Sequence, residues 1–479
     1  METSPLPLMK AFLPKVPLIG RTAVSHTLGL SEHSKHWDLR TELIVNVLRS
    51  FIVDSPPTPV SRVQRLSLKD PGIKGRIWVS KFTATKPEED DVRQALFEAI
   101  NELKEPGDVE RDYYEPEILP VEAEWTGYRA GATNQSVELK ISEEQKYKEM
   151  MREVTSPATI LYFHGGAMYL MDPATYRPTT KKLARLTKGR CFSVRYRLAP
   201  QNPFPAALLD ALVSYFTLLY PPPGSFHEAV PPQHIVFSGD SAGGNLCFVL
   251  VQTLLSLHRQ GRKVHWNGKE REVPLPAAVA VCSPWLDITA SLPSCDTNGR
   301  YDYLPPSTKN PEGMEYPSCS VWPTDPPRKH LYVEDALLCH PFVSPLAAKS
   351  WKGSCPLYIE TGEELLTDED KYVAMKAASQ GVPVVFEQYE TMPHCFAMVI
   401  SDLAASRKFF TNWAAFITQV VEHPEEIKTK GMKIAPKTLK ETEVDVLTLS
   451  TFKEEEVMTR MRDRVKQMNP KHPDSMSKL

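Results

Sequence analysis

Paired cysteines, long apolar runs, an excess of either charge and a generous supply of glycine are all missing from this sequence. Its eight cysteines include no CxxC pair and no Cys/His spacing suited to zinc, so they read as buried free thiols of a reducing compartment. No run of about 18 uncharged apolar residues occurs, and even the apolar stretch 206–220 carries Asp210, so no membrane span is expected. The opening METSPLPLMKAFLPKVPLIG is broken by prolines and by Lys10 and Lys15 and lacks the apolar core of a secretory signal. Lysine plus arginine is 56 against 59 aspartate plus glutamate, a net charge of −3 that gives no pull toward nucleic acid or an anionic membrane. The expectation is a soluble, intracellular protein. Glycine numbers only 22 in 479 residues while proline reaches 43, so the chain is rich in loops and its few glycine clusters carry information.

Three regions differ in character. Residues 1–150 contain one amphipathic helix (37–53), stopped by DSPPTPV, and strand-like runs at 76–82 and 121–128. The stretches 86–91 and 142–149 there are acidic and read as solvated. Residues 151–421 alternate apolar strands (159–163, 191–196, 234–238, 277–282, 356–360, 384–389) with helical patterns (176–186, 206–219, 245–257, 368–379, 404–421). That alternation implies βαβ units and a mostly parallel sheet covered on both faces, with reactive groups on loops at the carboxyl ends of strands. The segment 288–340 interrupts it, rich in Pro, Ser, Tyr and Trp and without period, as a lid or binding loop would be. The tail, 422–479, is charged and poor in aromatics, and reads as extended or partly helical.

Five of the 22 glycines fall in two short motifs. Ser238-Gly239-Asp240-Ser241-Ala242-Gly243-Gly244 lies between an apolar strand and an apolar helix, which is the setting that gives G-x-S-x-G its meaning. A serine on so tight a turn needs small neighbours, and the helix behind it aims free N–H groups at developing negative charge. His164-Gly165-Gly166-Ala167 closes the strand 159–163 and can offer further N–H groups to an oxyanion, with that of Ala242. His164 itself reads as a structural group bonding the loop. Downstream, Gly362-Glu363-Glu364 follows the strand 356–360, and Pro393-His394-Cys395-Phe396 follows 384–389. Serine, acid and histidine thus appear in that order, each at a strand end, unlike the order in chymotrypsin or subtilisin.

With these motifs in hand, YFHGGAMY, VRYRLAPQNPFPAALLDAL, FSGDSAGGNL, CSPWLD and HPFVSPL, in that order across about 155–421, resemble the hormone-sensitive-lipase-like (fold-3) branch of the α/β-hydrolases. The overall layout is similar to filamentous-fungal members. The resemblance implies an α/β-hydrolase fold with 1–150 as N-terminal extension and cap and 288–340 as a lid-like insert. It makes Ser241 the nucleophile, His394 the general base and then acid, and Glu364 the orienting carboxylate, with Asp368 the other candidate and Asp368–Glu369 otherwise a trailing acidic pair. Gly165, Gly166 and Ala242 would hold the oxyanion, and Met168, Tyr169 and Trp285, with Tyr301, Tyr303 and Trp322 of the insert, would contact substrate. Three departures stand out: the family's HGGG is HGGA here, its HGF is HCF, which puts Cys395 beside the base, and its acid, usually Asp in a D-x-L-x-D-E pattern, aligns with Glu364.

The expected activity is that of a serine hydrolase cleaving a small-molecule carboxylic ester or acyl thioester, with no metal or cofactor. An amidase, an acyltransferase or a non-catalytic hydrolase-fold binding protein remain the alternatives. The sequence closes on Ser477-Lys478-Leu479, the form of a peroxisomal matrix signal read by an import receptor, and polar residues before it would leave it accessible. A peroxisomal place in lipid or secondary-metabolite chemistry, toxin formation included, is the expectation that follows by analogy.

Overall fold

The structure, a computed structural model, describes residues 12–104, 113–307 and 316–468. Among the described residues twelve strands form in chain order: β1 Ile77–Thr83, β2 Glu122–Tyr128, β3 Thr159–Phe163, β4 Arg190–Val194, β5 Ile235–Asp240, β6 Val264–Trp266, β7 Lys269–Arg271, β8 Ala278–Cys282, β9 Leu357–Thr361, β10 Val384–Tyr389, β11 Lys430–Ile434 and β12 Glu441–Val444. Ten of them make one sheet in the order β1-β2-β4-β3-β5-β8-β9-β10-β11-β12, and β6 and β7 form a separate hairpin. The run from β4 to β11 is parallel throughout, while β1, β2 and β12 pair antiparallel at the two edges.

The central strands are apolar at nearly every position because helices cover both faces, leaving no solvent side for polar alternation. In β3 the pleat sends Leu161 and Phe163 into one cluster, with Leu212, Phe237, Phe248 and Val373. Ile160 and Tyr162 go to the other, with Leu183, Tyr358 and Trp413. The helices Ala206–Leu219, Ala242–Arg259 and Thr367–Ser379 therefore lie on one face, and Pro173–Thr187 and Ala404–Glu422 on the other. Capping fixes where helices start: Asp172 accepts from Ala174 N–H at 2.9 Å and completes a capping box with Thr175. No helix among the described residues is long and apolar enough to cross a membrane, and none of the eight cysteines is in a disulfide.

Two expectations are corrected. The stretch 142–149 is solvated on one side only: Glu143–Glu153 is a helix, capped by Ser142, with Lys146, Tyr147 and Met150 buried. Its apolar stripe is only one residue wide per turn, so charge dominated the composition, while Lys146 reaches out to Glu138 and Glu143. The tail does more than extend. It supplies β11 and β12 to the same sheet and then the helix Glu454–Met468, whose Val457 and Met461 pack into the main core.

One feature of the sheet carries a stability prediction. Glu360 on β9 and Glu387 on β10 are register partners, both buried beneath the helix Ala404–Glu422, and both oxygens of Glu360 lack a hydrogen-bond partner among the described residues. Burial, then the charge of Glu387, pushes the Glu360 carboxyl well above the usual range, and burial raises Glu387 too. Groups raised in the folded state favour folding below their unfolded pKa and lose that contribution as pH climbs through the folded value. Glu360→Gln keeps the shape and removes the ionisation, so its unfolding free energy should exceed wild type at pH 8, by on the order of 1–3 kcal/mol, and match it near pH 4. Denaturant titrations at the two pH values read this directly; a destabilised variant at pH 8 would contradict it.

Candidate active site

Ser241 occupies the one-residue turn between β5 and the helix Ala242–Arg259, with φ 51° and ψ −120°. A non-glycine residue held there stores about 1–3 kcal/mol of strain, and the surroundings over-determine it. Its N–H donates to Cys282 O at 3.1 Å, and its carbonyl accepts from Trp285 N–H at 3.0 Å. The flanking glycines are required by space: a Cβ on Gly243 would stand 1.9 Å from Phe163 O, one on Gly239 2.5 Å from the same atom, and one on Gly244 2.7 Å from Pro284 Cβ. Crowding by β3 and the loop after β8 thus lifts the serine out of the sheet, where it is partly exposed.

The loop after β3 stands beside this turn. Asp240 is the anchor: it accepts from Tyr162 Oη and Tyr176 Oη, each at 2.8 Å, and from Gly165 N–H at 3.2 Å. Burial raises its carboxyl to about 6 against the pull of those donors. Gly165 must be glycine, since a Cβ would fall 2.3 Å from Asp240 Oδ2. This corrects the expected oxyanion hole: the N–H of Gly165 is committed to Asp240. The N–H groups of Gly166, Ala167 and Ala242 take no acceptor among the described residues, which leaves Ala167 rather than Gly165 as the candidate donor beside Gly166 and Ala242. Ala167 adopts φ 51°, a left-handed position that glycine would occupy without cost. His164 is a loop brace, with Nδ1 2.7 Å from Gly165 O and its ring stacked on Tyr196 at 4.3 Å. Burial lowers its imidazolium to about 4, so it stays neutral.

Glu364 and His394 come together from the loops after β9 and β10. Glu364 Oε2 meets His394 Nδ1, and Oε1 accepts from the hydroxyl of Ser283, from Thr361 Oγ1 at 3.2 Å and from Gly362 N–H at 3.3 Å. The carboxyl is fully buried. Burial pushes its pKa up, but the His394 charge and these donors outweigh that and hold it below the usual range. Burial pushes His394 down, and Glu364, then Asp302 and Asp240, overcome it and lift the imidazolium to about 8. Asp368, the other candidate, accepts from Ser294 N–H at 3.0 Å instead. His394 Nε2, the nitrogen left free by Glu364, lies 3.4 Å from Cys395 Sγ. Cys395 itself has φ 47°, the conformation a glycine at this place would take freely.

The insert contributes a group the sequence did not signal. Asp302, fully buried, accepts from His394 N–H at 3.3 Å and from Leu365 N–H at 3.0 Å, so it ties together the two loops that hold histidine and acid. Tyr303 Oη donates to His394 O at 2.8 Å. Trp37 of the N-terminal region donates to Thr391 O at 2.8 Å, and Arg49 to Asp302 O at 2.9 Å. Nothing periodic marks Asp302 in the sequence; only its place in the RYDY run between two tyrosines set it apart. Among the expected substrate contacts, Trp285 abuts the serine turn. Met168 has no exposed surface, and Tyr169 packs with Trp322. Tyr301 lies against Trp37, ring centroids 6.4 Å apart.

The alpha/beta hydrolase fold family matches residues 160–398, the stretch that holds Ser241, Glu364, His394 and Asp302 but not Trp37 or Arg49. Over 260 residues, 54% of this chain and 75% of the relative, the sequence is 29% identical to an acetyl-hydrolase of Streptomyces hygroscopicus. Over a shorter stretch of 104 residues, 22% of this chain and 34% of the relative, it is 38% identical to the versiconal hemiacetal acetate esterase of Emericella nidulans. The crystal structure of an esterase from the bacterial hormone-sensitive lipase family superposes with a TM-score of 0.51 at 20% identity, covering 80% of this chain and 99% of that one, a likeness of fold.

Proposed function

From the premise that this chain belongs to the α/β-hydrolase family, in its hormone-sensitive-lipase-like branch, we propose that it is a serine carboxylic ester hydrolase working through an acyl-enzyme. The observation that carries the reading is the buried Glu364–His394 pair, bonded through Ser283 to the end of β8 and the loop after it, whose Cys282 and Trp285 hold the strained serine turn. Ser241 Oγ attacks the ester carbonyl carbon as His394 Nε2 takes its proton, and Glu364 holds Nδ1–H and stabilises the imidazolium. The N–H groups of Gly166, Ala167 and Ala242 receive the oxyanion. The tetrahedral adduct collapses, the alcohol leaves with the proton from His394, and water, activated by the same histidine, releases the acid.

The names of the Streptomyces and Emericella relatives support a small acyl group, acetyl or near it, on a larger alcohol. Ala167, whose Cβ stands where the family has none, would narrow the acyl side in the same sense. Hydrolysis of p-nitrophenyl esters of graded chain length tests this: acetate and butyrate should be turned over with kcat/KM at least tenfold above that of the decanoate. A profile rising toward long chains would overturn the small-acyl reading, and absence of turnover on all of them would count against the ester reading.

A place in secondary-metabolite chemistry rests on the fungal relative alone. Peroxisomal delivery is proposed from Ser477-Lys478-Leu479, which lie outside the described residues. A fluorescent protein fused to the amino end should appear as puncta with a peroxisomal marker and turn diffuse when Leu479 is deleted; puncta that persist would refute this signal.

A further inference from the structure

The helix Val16–Thr27 has a face that no described residue covers. Leu13, Val16, Val24 and Leu28 are 69%, 57%, 60% and 65% exposed, and at 100° per residue they fall with Gly20 on a single stripe opposite the buried Thr22. Phe12, packed edge-on against Phe51 at 5.8 Å, widens the stripe, and Phe51 and Ile52 are themselves exposed. The inward side is fully engaged: His26 meets Glu42, Asn46 Nδ2 donates to Thr22 Oγ1 at 3.3 Å, and Lys15 Nζ donates to Ser50 O at 2.9 Å. Large apolar side chains left out in a row mark an interaction surface, since isolated exposure is ordinary but a continuous stripe is not.

Charge tells which partner fits. From Thr3 to Ser31 the sequence contains no aspartate or glutamate, and its charged residues are Lys10, Lys15 and Arg21, in a chain whose total is −3. Arg21 is exposed beside the stripe. An apolar face on a helix that carries no acidic residue, with Arg21 exposed at its border, suits a lipid interface with anionic headgroups, where the stripe enters the acyl boundary and Arg21 stays with the phosphates. Two copies meeting through this face would bring like charges together.

We propose that the helix Val16–Thr27 docks this protein onto an anionic phospholipid surface. The helix lies in the interface plane and does not cross it. Its neighbour Leu39–Ile52 carries Arg49, which binds the carbonyls of Gly299 and Asp302, so docking would hold the insert beside His394 next to the lipid. The proposal is independent of the ester-hydrolase reading, because vesicle binding is measured without turnover.

Co-sedimentation of the full chain with phosphatidylcholine vesicles, with and without phosphatidylserine, tests it. Binding to the mixed vesicles should be at least about tenfold tighter than to phosphatidylcholine alone. Val16→Ser/Val24→Ser/Leu28→Ser should lose it with thermal unfolding unchanged, and Arg21→Glu should weaken it on mixed vesicles alone. Failure to sediment with either vesicle, or binding that the triple substitution leaves intact, would overturn the proposal. So would a concentration-dependent dimer abolished by the same substitutions, which would assign the face to a second copy.

Discussion

Ser241→Ala is expected to lower ester kcat/KM by a factor on the order of 10⁴–10⁶ while the protein stays folded. The hydroxyl supplies the bond-forming atom, and no neighbour can replace it: Cys395, the nearest thiol to the base, is buried and its pKa is pushed well above the ordinary thiol value, first by burial. Alanine removes one atom from a position held by backbone bonds to Cys282 and Trp285, so the turn has no reason to change. It also keeps the φ of 51° unfavourable, so no large stabilisation should appear. The comparison is a progress curve on p-nitrophenyl butyrate, set beside a thermal melt of the same samples. Loss of turnover with an unchanged melt is the expected pair; a variant retaining a tenth of wild-type rate would exclude Ser241 as nucleophile.

Glu364→Gln should be nearly as damaging, by about 10⁴ in kcat/KM, because an amide can present its N–H to Nδ1 and fix the wrong imidazole tautomer. Its pH signature separates it from simple misfolding. In the wild type the neutral base increases as pH rises through about 8, the value to which Glu364, with Asp302 and Asp240, lifts His394 against burial. Activity should therefore climb with pH around that midpoint. Without the Glu364 carboxylate the largest opposing charge is gone, so the residual activity should reach its plateau at lower pH. Glu364→Asp keeps the charge on a shorter arm and should recover much of the rate along with a midpoint near the wild-type one. An unshifted midpoint in Glu364→Gln would mean that another acid, with Asp302 the nearest, sets the base.

The strands and helices between 159 and 421 were legible because burial on both faces writes itself as uninterrupted apolar residues: β3, β10 and the helix Ala206–Leu219 have the bounds that the sequence suggests. The edges were not. β11 reads KGMKI, with lysines on a strand that faces solvent, and its membership in the sheet comes from parallel pairing with β10 that no local pattern encodes. The site shows the same division. Ser241, Glu364 and His394 announce themselves through turn chemistry and order along the chain. Which N–H groups point at the oxyanion does not, because Asp240 claims that of Gly165 from across the loop. Asp302 was invisible for a similar reason: its role depends on an aperiodic insert folding back over two loops some 60 and 90 residues distant in sequence.

The most direct test of the account is covalent. A fluorophosphonate reacts with a serine only where base and oxyanion donors already serve it. Incubated with the folded protein and followed by intact mass and peptide mapping, it should add one equivalent, on Ser241, at a rate that rises with pH through about 8 and vanishes in Ser241→Ala. A folded protein that takes no label, or takes it on another residue, would contradict the assignment of this turn as the reacting centre.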